Sequence, residues 1–324
     1  MKSAVVMAAA GLVGGAWLTA GYRRDVAVQR GRLDGLDVRT VTTSVGDVKY
    51  VEYGKGPPVL AVHGIAGGHD QGTEWAGAYL PEGFRVVAPS RFGYLGSAMP
   101  PQATPALQAD VLAELLDALG IERAGVIGFS AGATSAVQFG LRHPTRVSGL
   151  VLSSPNAPGP VGALPPRGLM ELAVRTDVPF WVLVRFFRRL MTAPMLGVPK
   201  DYPLTNRDRA DLDQIARKVL PITARRQGFL FDMFVSNPDI NHGYHFEDIS
   251  VPTLVISAMD DAMAPYPNAR AMAQAIPGAR LLTIERGGHP LFGASELVGH
   301  ELRRFLTSRP ATPLGPVAHA LSAE

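Results

Sequence analysis

Residues 126–134 read Val-Ile-Gly-Phe-Ser-Ala-Gly-Ala-Thr, with Ser130 held between Gly128 and Gly132. A serine hydroxyl is a weak nucleophile until a neighbouring base takes its proton. The chain has 35 glycines in 324 residues, so a short Gly-x-Ser-x-Gly run can equally be a passive turn, and context must decide. His289, in Ile-Glu-Arg-Gly-Gly-His-Pro, is a candidate base. A base of this kind needs a carboxylate to orient it. Asp260 and Asp261, in Ala-Met-Asp-Asp-Ala-Met-Ala-Pro, both offer one. A fourth part is the glycine-rich stretch that begins at His63-Gly64. A backbone N–H there, that of Ile65, could join that of Ala131 in holding a developing oxyanion. The chemistry these groups could perform is addition of a serine oxygen to a carbonyl carbon. His63 is read as shaping its loop rather than moving protons. His63, His69 and Asp70 also raise a metal reading, but His followed by five residues and then His-Asp matches no common zinc spacing. No metal and no cofactor are expected.

Such residues work only if the elements around them bring them to one place. Gly-Val-Ile-Gly before Ser130 is an apolar strand, and Ala-Gly-Ala-Thr-Ser-Ala-Val after it starts a helix. A sharp strand-to-helix turn exposes the serine, strains its backbone and admits only small neighbours. The helix start adds free N–H groups and a positive dipole end. Five further short apolar runs resemble the one before Ser130. They begin at Pro57, Phe84, Val147, Pro252 and Ala279, and suit strands buried on both faces of a parallel sheet. Loops at the carboxyl ends of such strands open onto one edge. Helical patterns lie between several of them, the clearest running from Pro105 to Gly120. Residues 38–56 alternate about Val45-Gly46-Asp47 and read as a β-hairpin. Alternation of strand and helix predicts an α/β fold with a doubly wound sheet. The core spans 36–155 and 251–308. No good strand falls within 156–250, where helices are expected near 167–176, 179–192, 206–219 and 223–235, forming an inserted helical cap. The Pro- and Ala-rich tail 309–324 is expected to be disordered.

The order Ser130, Asp261, His289 is the Ser…Asp…His order of the α/β-hydrolase fold. The chain resembles that superfamily from about Arg39 to Leu306. The residues that carry the resemblance are His63-Gly64, Gly128 to Gly132, Asp261 and His289. It implies an eight-stranded, mostly parallel sheet. In the family's Gly-x-x-Asp-x-x-x-Pro pattern, counting back from Pro265 selects Asp261, with Ala258 in place of the first glycine. The family's Asp-x-x-Gly-x-Gly-x-Ser loop after the fourth strand corresponds to residues 90–97, where Ser90 replaces the acid. Relatives that open epoxides or displace halide use aspartate as nucleophile, which Ser130 argues against. The resemblance implies a serine hydrolase acting through an acyl-enzyme on Ser130, and a carboxylic ester of a hydrophobic acyl substrate is the expected target. Carbon–carbon bond hydrolysis or cofactor-free perhydrolysis with the same triad is the alternative. A non-catalytic ligand-binding protein on the same scaffold is the third reading.

Composition narrows the partners. Hydrophobic residues make up 47% and charged ones 18%, with a net charge of +3, which describes an apolar globular chain. The arginines are scattered, with no aromatic-studded basic stripe, so nucleic acid is not an expected partner. Zero cysteines exclude disulfides, thiolate metal sites and a cysteine nucleophile. Ala4 to Tyr22 carries no charge, and Arg23, Arg24, Arg30 and Arg32 follow it. That length can span a bilayer, and the flank favours an N-terminal anchor over residues 1–24 with a cytoplasmic catalytic part. A cleaved signal, with a poor site at Leu18-Thr19-Ala20, is the exported alternative, and a buried helix is the third. Within the cap, Arg185, Arg188 and Arg189 share one face of a strongly apolar helix. That helix packs on the core, covers an acyl chain, or touches anionic lipid.

Overall fold

The computed structural model describes residues 2–160 and 164–307, with side chains from Gly15 onward. Helix α1 (Lys2–Asp34) precedes a hairpin of β1 (Val38–Thr43) and β2 (Gly46–Tyr53), which pair antiparallel with Thr43 opposite Gly46. β3 (Pro58–Val62), α2 (His69–Tyr79), β4 (Arg85–Pro89), α3 (Pro105–Ala118), β5 (Ala124–Phe129), α4 (Gly132–Arg142) and β6 (Val147–Ser153) follow. With β7 (Thr253–Ala258) and β8 (Arg280–Ile284), the strands form one eight-stranded sheet in the order β1-β2-β4-β3-β5-β6-β7-β8. Only the β1–β2 and β2–β4 pairings are antiparallel.

The strands form where apolar runs can be covered on both faces. Leu60, Val126 and Leu152 point into one core with Leu112, Leu116, Val137 and Phe139. Val59, Ile127 and Val151 point into the other with Trp75, Ala76, Val298 and Leu302. Alternate residues of each strand therefore feed opposite layers, which is the doubly wound arrangement. Helix α3 begins where Thr104 accepts from the Leu107 N–H and Pro105 occupies the first turn. It ends at Ala118, and Gly120 just beyond the cap takes φ 64.

After β6 the chain leaves the sheet. Among the described residues, the stretch up to β7 (Thr253–Ala258) holds helices and no strand: α5 (Arg167–Ala173), α6 (Val178–Val182), α7 (Arg188–Met195), α8 (Asn206–Lys218), α9 (Arg226–Phe231) and α10 (Asn237–Asp239). A π-helical turn, Leu183–Phe187, joins α6 to α7, and another, Asp232–Ser236, joins α9 to α10. Thr205 and Asp208 close a reciprocal cap at the start of α8. The sheet resumes with β7, followed by α11 (Tyr266–Ala275), β8 (Arg280–Ile284) and α12 (Ser295–Thr307).

Two N-terminal features depart from expectation. α1 continues past Tyr22 to Asp34, and Arg32 near its end donates to Asp70 of α2 at 2.8 Å. α2 has no counterpart among the expected helices because its buried face is His69, Asp70, Gly72, Trp75 and Ala76, which carries no apolar stripe. A Cβ at Gly72 would lie 2.8 Å from the Ala61 carbonyl oxygen, so a small residue lets α2 sit against β3. Among the residues whose side chains are described, no helix is long and apolar enough to cross a membrane. Most of the expected anchor, and the whole tail 309–324, lie outside the residues whose side chains are described.

Candidate active site

Ser130 occupies the turn between β5 and α4 at φ 52, a left-handed conformation costly for a residue with a Cβ. Glycines make that turn fit. A Cβ at Gly128 would stand 2.7 Å from that of Ala136, and one at Gly132 would stand 2.5 Å from the carbonyl oxygens of Val62 and His63. The structure brings Ser130, His289 and Asp261 together. The Ser130 Oγ lies 2.9 Å from His289 Nε2, and His289 Nδ1 lies 2.8 Å from Asp261 Oδ2. A carboxylate can only accept, so Nδ1 carries the proton and Nε2 is left to receive one from the serine.

The two neighbouring aspartates divide the work. Asp261 follows β7 and is almost fully buried. Its other oxygen accepts from the N–H groups of Met263 and Ala264, both at 2.8 Å, which fixes the carboxylate in place. Asp260 turns the other way and accepts from the N–H groups of Gly287 and Gly288 at 3.0 and 2.9 Å. It thereby holds the loop that presents His289. Ser154 adds a hydroxyl donated to the His289 carbonyl at 2.9 Å.

The loop after β3 lies against the nucleophile: a Cβ at Gly64 would stand 3.0 Å from Ser130 Cβ. Gly64 N–H donates to Gln71 Oε1 at 2.7 Å, and Ala66 N–H to the Tyr94 hydroxyl at 3.3 Å. Among the described residues neither the Ile65 nor the Ala131 N–H has a protein acceptor. Two donors are thus left near Ser130, as holding an oxyanion requires. His63 has both ring nitrogens engaged: Nδ1–H donates to the Gly64 carbonyl at 2.7 Å, and Nε2 accepts from the Arg91 N–H at 2.9 Å. Burial keeps it neutral, well below the usual histidine range. His69 is bound to Ser90 Oγ at 2.8 Å, and burial lowers it to about 4. Burial opposes the charge of Asp70, but Arg225 and Arg32 outweigh it and hold that carboxyl well below its usual range. All three side chains of the His…His-Asp spacing are therefore tied into protein contacts.

A further set was not foreseen. Arg91 and Asp232, both without exposed side-chain surface, form a two-pronged ion pair at 2.6 and 2.5 Å. Arg91 Nε–H also donates to the His63 carbonyl at 2.9 Å. The Tyr94 hydroxyl donates to Asp232 and accepts from Ala66. Asp232, in the π turn after α9, thus grips both sides of the loop that carries Ile65. The one sequence sign was an acid inside Phe-Leu-Phe-Asp-Met-Phe-Val. Leu95 also departs from the family's loop pattern, sitting where the second glycine is expected and held at φ 47. Ile65 and Ala66, together with Met170, Phe180, Leu230 and Met233, pack against buried Val174, Ile222 and Phe229. The loop therefore lies under an apolar roof.

Comparison with known proteins accords with this geometry. A protein family described by the alpha/beta hydrolase fold matches residues 57–294. The chain is 29% identical over 293 residues to an uncharacterized hydrolase, YcgS, of Bacillus subtilis (strain 168), covering 84% of this chain and 99% of that one. It is 30% identical over 260 residues to the 2-hydroxy-6-oxononadienedioate/2-hydroxy-6-oxononatrienedioate hydrolase of Burkholderia vietnamiensis (strain G4 / LMG 22486), covering 75% of this chain and 84% of that one. Among solved structures, an alpha/beta hydrolase fold protein from Nakamurella multipartita aligns with a TM-score of 0.65 and 29% identity, over 83% of this chain and 98% of that chain.

Proposed function

The chain belongs to the alpha/beta hydrolase fold family, and on that premise we propose that it is a serine hydrolase cleaving carboxylic esters of hydrophobic acyl groups. His289 Nε2 takes the Ser130 proton as Oγ adds to the ester carbonyl, and Asp261 steadies the imidazolium. The N–H groups of Ile65 and Ala131 receive the oxyanion. Collapse expels the alcohol, which leaves with the proton from His289. Water then cleaves the acyl-enzyme by the same steps, with His289 as its base. The observation that carries the substrate class is the roof of Met170, Phe180, Phe229 and Met233 packed with Ile65 and Ala66. An apolar wall there favours an aliphatic or aromatic acyl group over a charged one.

A second reading, carbon–carbon bond hydrolysis with the same triad, is favoured by the 30% identity to a hydrolase named for a dienedioate substrate. Against it, two buried arginines near the loop, Arg91 and Arg225, are already committed to Asp232 and Asp70. Turnover of p-nitrophenyl esters of graded acyl length, set beside a vinylogous diketone acid, separates the two. Esters turned over with a rate rising with chain length support the first reading. Cleavage of the diketone with no ester turnover overturns it.

We also place the protein at a membrane through its N-terminal helix, with the catalytic part on the cytoplasmic side. The uncharged run Ala4–Tyr22 and the arginines after it support that placement.

A further inference from the structure

We propose that α1 and the α6–α7 run form one docking face that seats on an anionic lipid bilayer. The face is apolar and open: Trp17 is 60% exposed, Phe186 and Phe187 49% each, and Leu190 70%. Soluble monomers rarely leave such side chains clustered without a partner. The two helices share this surface. The Arg185 guanidinium lies over the Trp17 ring at 5.8 Å and over the Phe186 ring at 5.7 Å. Behind it, Trp181 packs edge-on against Tyr22 and donates its indole N–H to Asp25 at 3.1 Å, which locks α1 to the insertion.

Two observations select the occupant. Residues 178–197 contain three arginines and no acid. Arg188 is paired with Asp213 and Arg185 with Asp25 at 3.9 Å, which leaves exposed Arg189 beside the apolar side chains to meet lipid phosphates. The face is also continuous with the uncharged run Ala4–Tyr22, because α1 is a single helix from Lys2 to Asp34. Trp17 and Tyr22 then fall at the depth where aromatic side chains gather in a bilayer. A second copy of the chain would set arginine against arginine. The face has a route to the proposed chemistry, since the carbonyl of Leu196, just past α7, accepts the His289 N–H at 3.3 Å. Docking would present the insertion, and the apolar roof it supplies, to substrate held in lipid. The inference rests on the membrane placement above but is read out separately from it and from hydrolysis.

The chain has no cysteine, so single-site labels are unambiguous. Phe187→Cys and Leu190→Cys, made in the full chain, carry an environment-sensitive dye, with exposed His300→Cys on α12 as control. Each is mixed with vesicles of phosphatidylcholine and phosphatidylglycerol, and flotation is measured in parallel. The labels at 187 and 190 should shift to the blue and be quenched by nitroxide lipid, while that at 300 stays unchanged. Adding Arg189→Gln should raise the vesicle concentration for a half-maximal shift about five-fold. Flotation with unshifted labels at 187 and 190 would overturn the docking face and leave the anchor standing. No flotation and no shift would remove both. A shift that follows protein concentration without vesicles would make a second copy the occupant and also overturn the proposal. Turnover of a soluble ester should persist in all the labelled variants.

Discussion

Replacing Asp232 by alanine tests how the insertion supports the site. The Arg91–Asp232 pair has no solvent-exposed side-chain surface, so the substitution leaves a guanidinium in a dry interior with the His63 carbonyl as its remaining described acceptor. Removing one partner of a buried pair costs about 3–5 kcal/mol. The Tyr94 hydroxyl loses its acceptor as well, worth about 1 kcal/mol more. The exposed Arg167–Glu171 pair, at 3.0 Å on one face of α5, is the internal control, because Glu171→Ala should cost no more than ~0.5 kcal/mol. Urea unfolding followed by circular dichroism reads both, and Asp232→Ala should lower the midpoint strongly with an unchanged slope. Arg91→Met with Asp232→Leu removes both charges and should recover most of the loss. The single variant should also slow ester turnover, because Tyr94 and Arg91 hold the backbone on either side of Ile65. If Asp232→Ala lies within ~1 kcal/mol of wild type, or the double variant is no more stable than the single, the pair does not hold the loop as described.

Three further outcomes are expected. Asp261→Asn should lower kcat by about 10⁴ through the wrong histidine tautomer. Asp260→Ala should lower it far less, since Asp260 meets the Gly287 and Gly288 N–H groups and the Arg286 guanidinium and not the imidazole; equal losses would contradict the division between them. His69 is lowered from 6.5 to about 4 by burial, so below pH 6.5 the unfolded chain takes up a proton that the folded one refuses. Stability should therefore be full above pH 6.5 and fall by at most about 3 kcal/mol towards pH 4. Buried, neutral His63 adds in the same direction, and urea midpoints for His69→Asn should fall less steeply than wild type; parallel curves would contradict this.

The sheet was legible because strands buried on both faces must be continuously apolar, and few other elements are. The same runs locate the strand ends, from which the approach of Ser130 to His289, 159 positions apart in the chain, can be anticipated. Periodicity does not reach α2, whose close packing depends on Gly72 and Ala76 rather than on large side chains. Nor does it reach the Arg91–Asp232 pair, whose members lie 141 positions apart and carry no local signature. Adjacent acids such as Asp260 and Asp261 look alike by residue type, and only the count back from Pro265 singles out Asp261 in the sequence. What Asp260 does instead, holding the Gly287 and Gly288 N–H groups, is set by the direction it takes out of the turn after β7 and has no sign in the sequence. Leu95 shows a further limit: tertiary contacts, including its N–H bond to the Ala224 carbonyl at 2.8 Å, can hold a branched residue where a glycine pattern is expected.

The most direct test is covalent. A fluorophosphonate probe reacts with a serine whose proton a neighbouring base removes, and mass spectrometry locates the adduct. We expect a single adduct on Ser130, absent in Ser130→Ala and slowed by orders of magnitude in His289→Ala. A folded protein that takes no adduct at Ser130, or that reacts equally fast without His289, would contradict the proposed catalytic role of this serine and histidine.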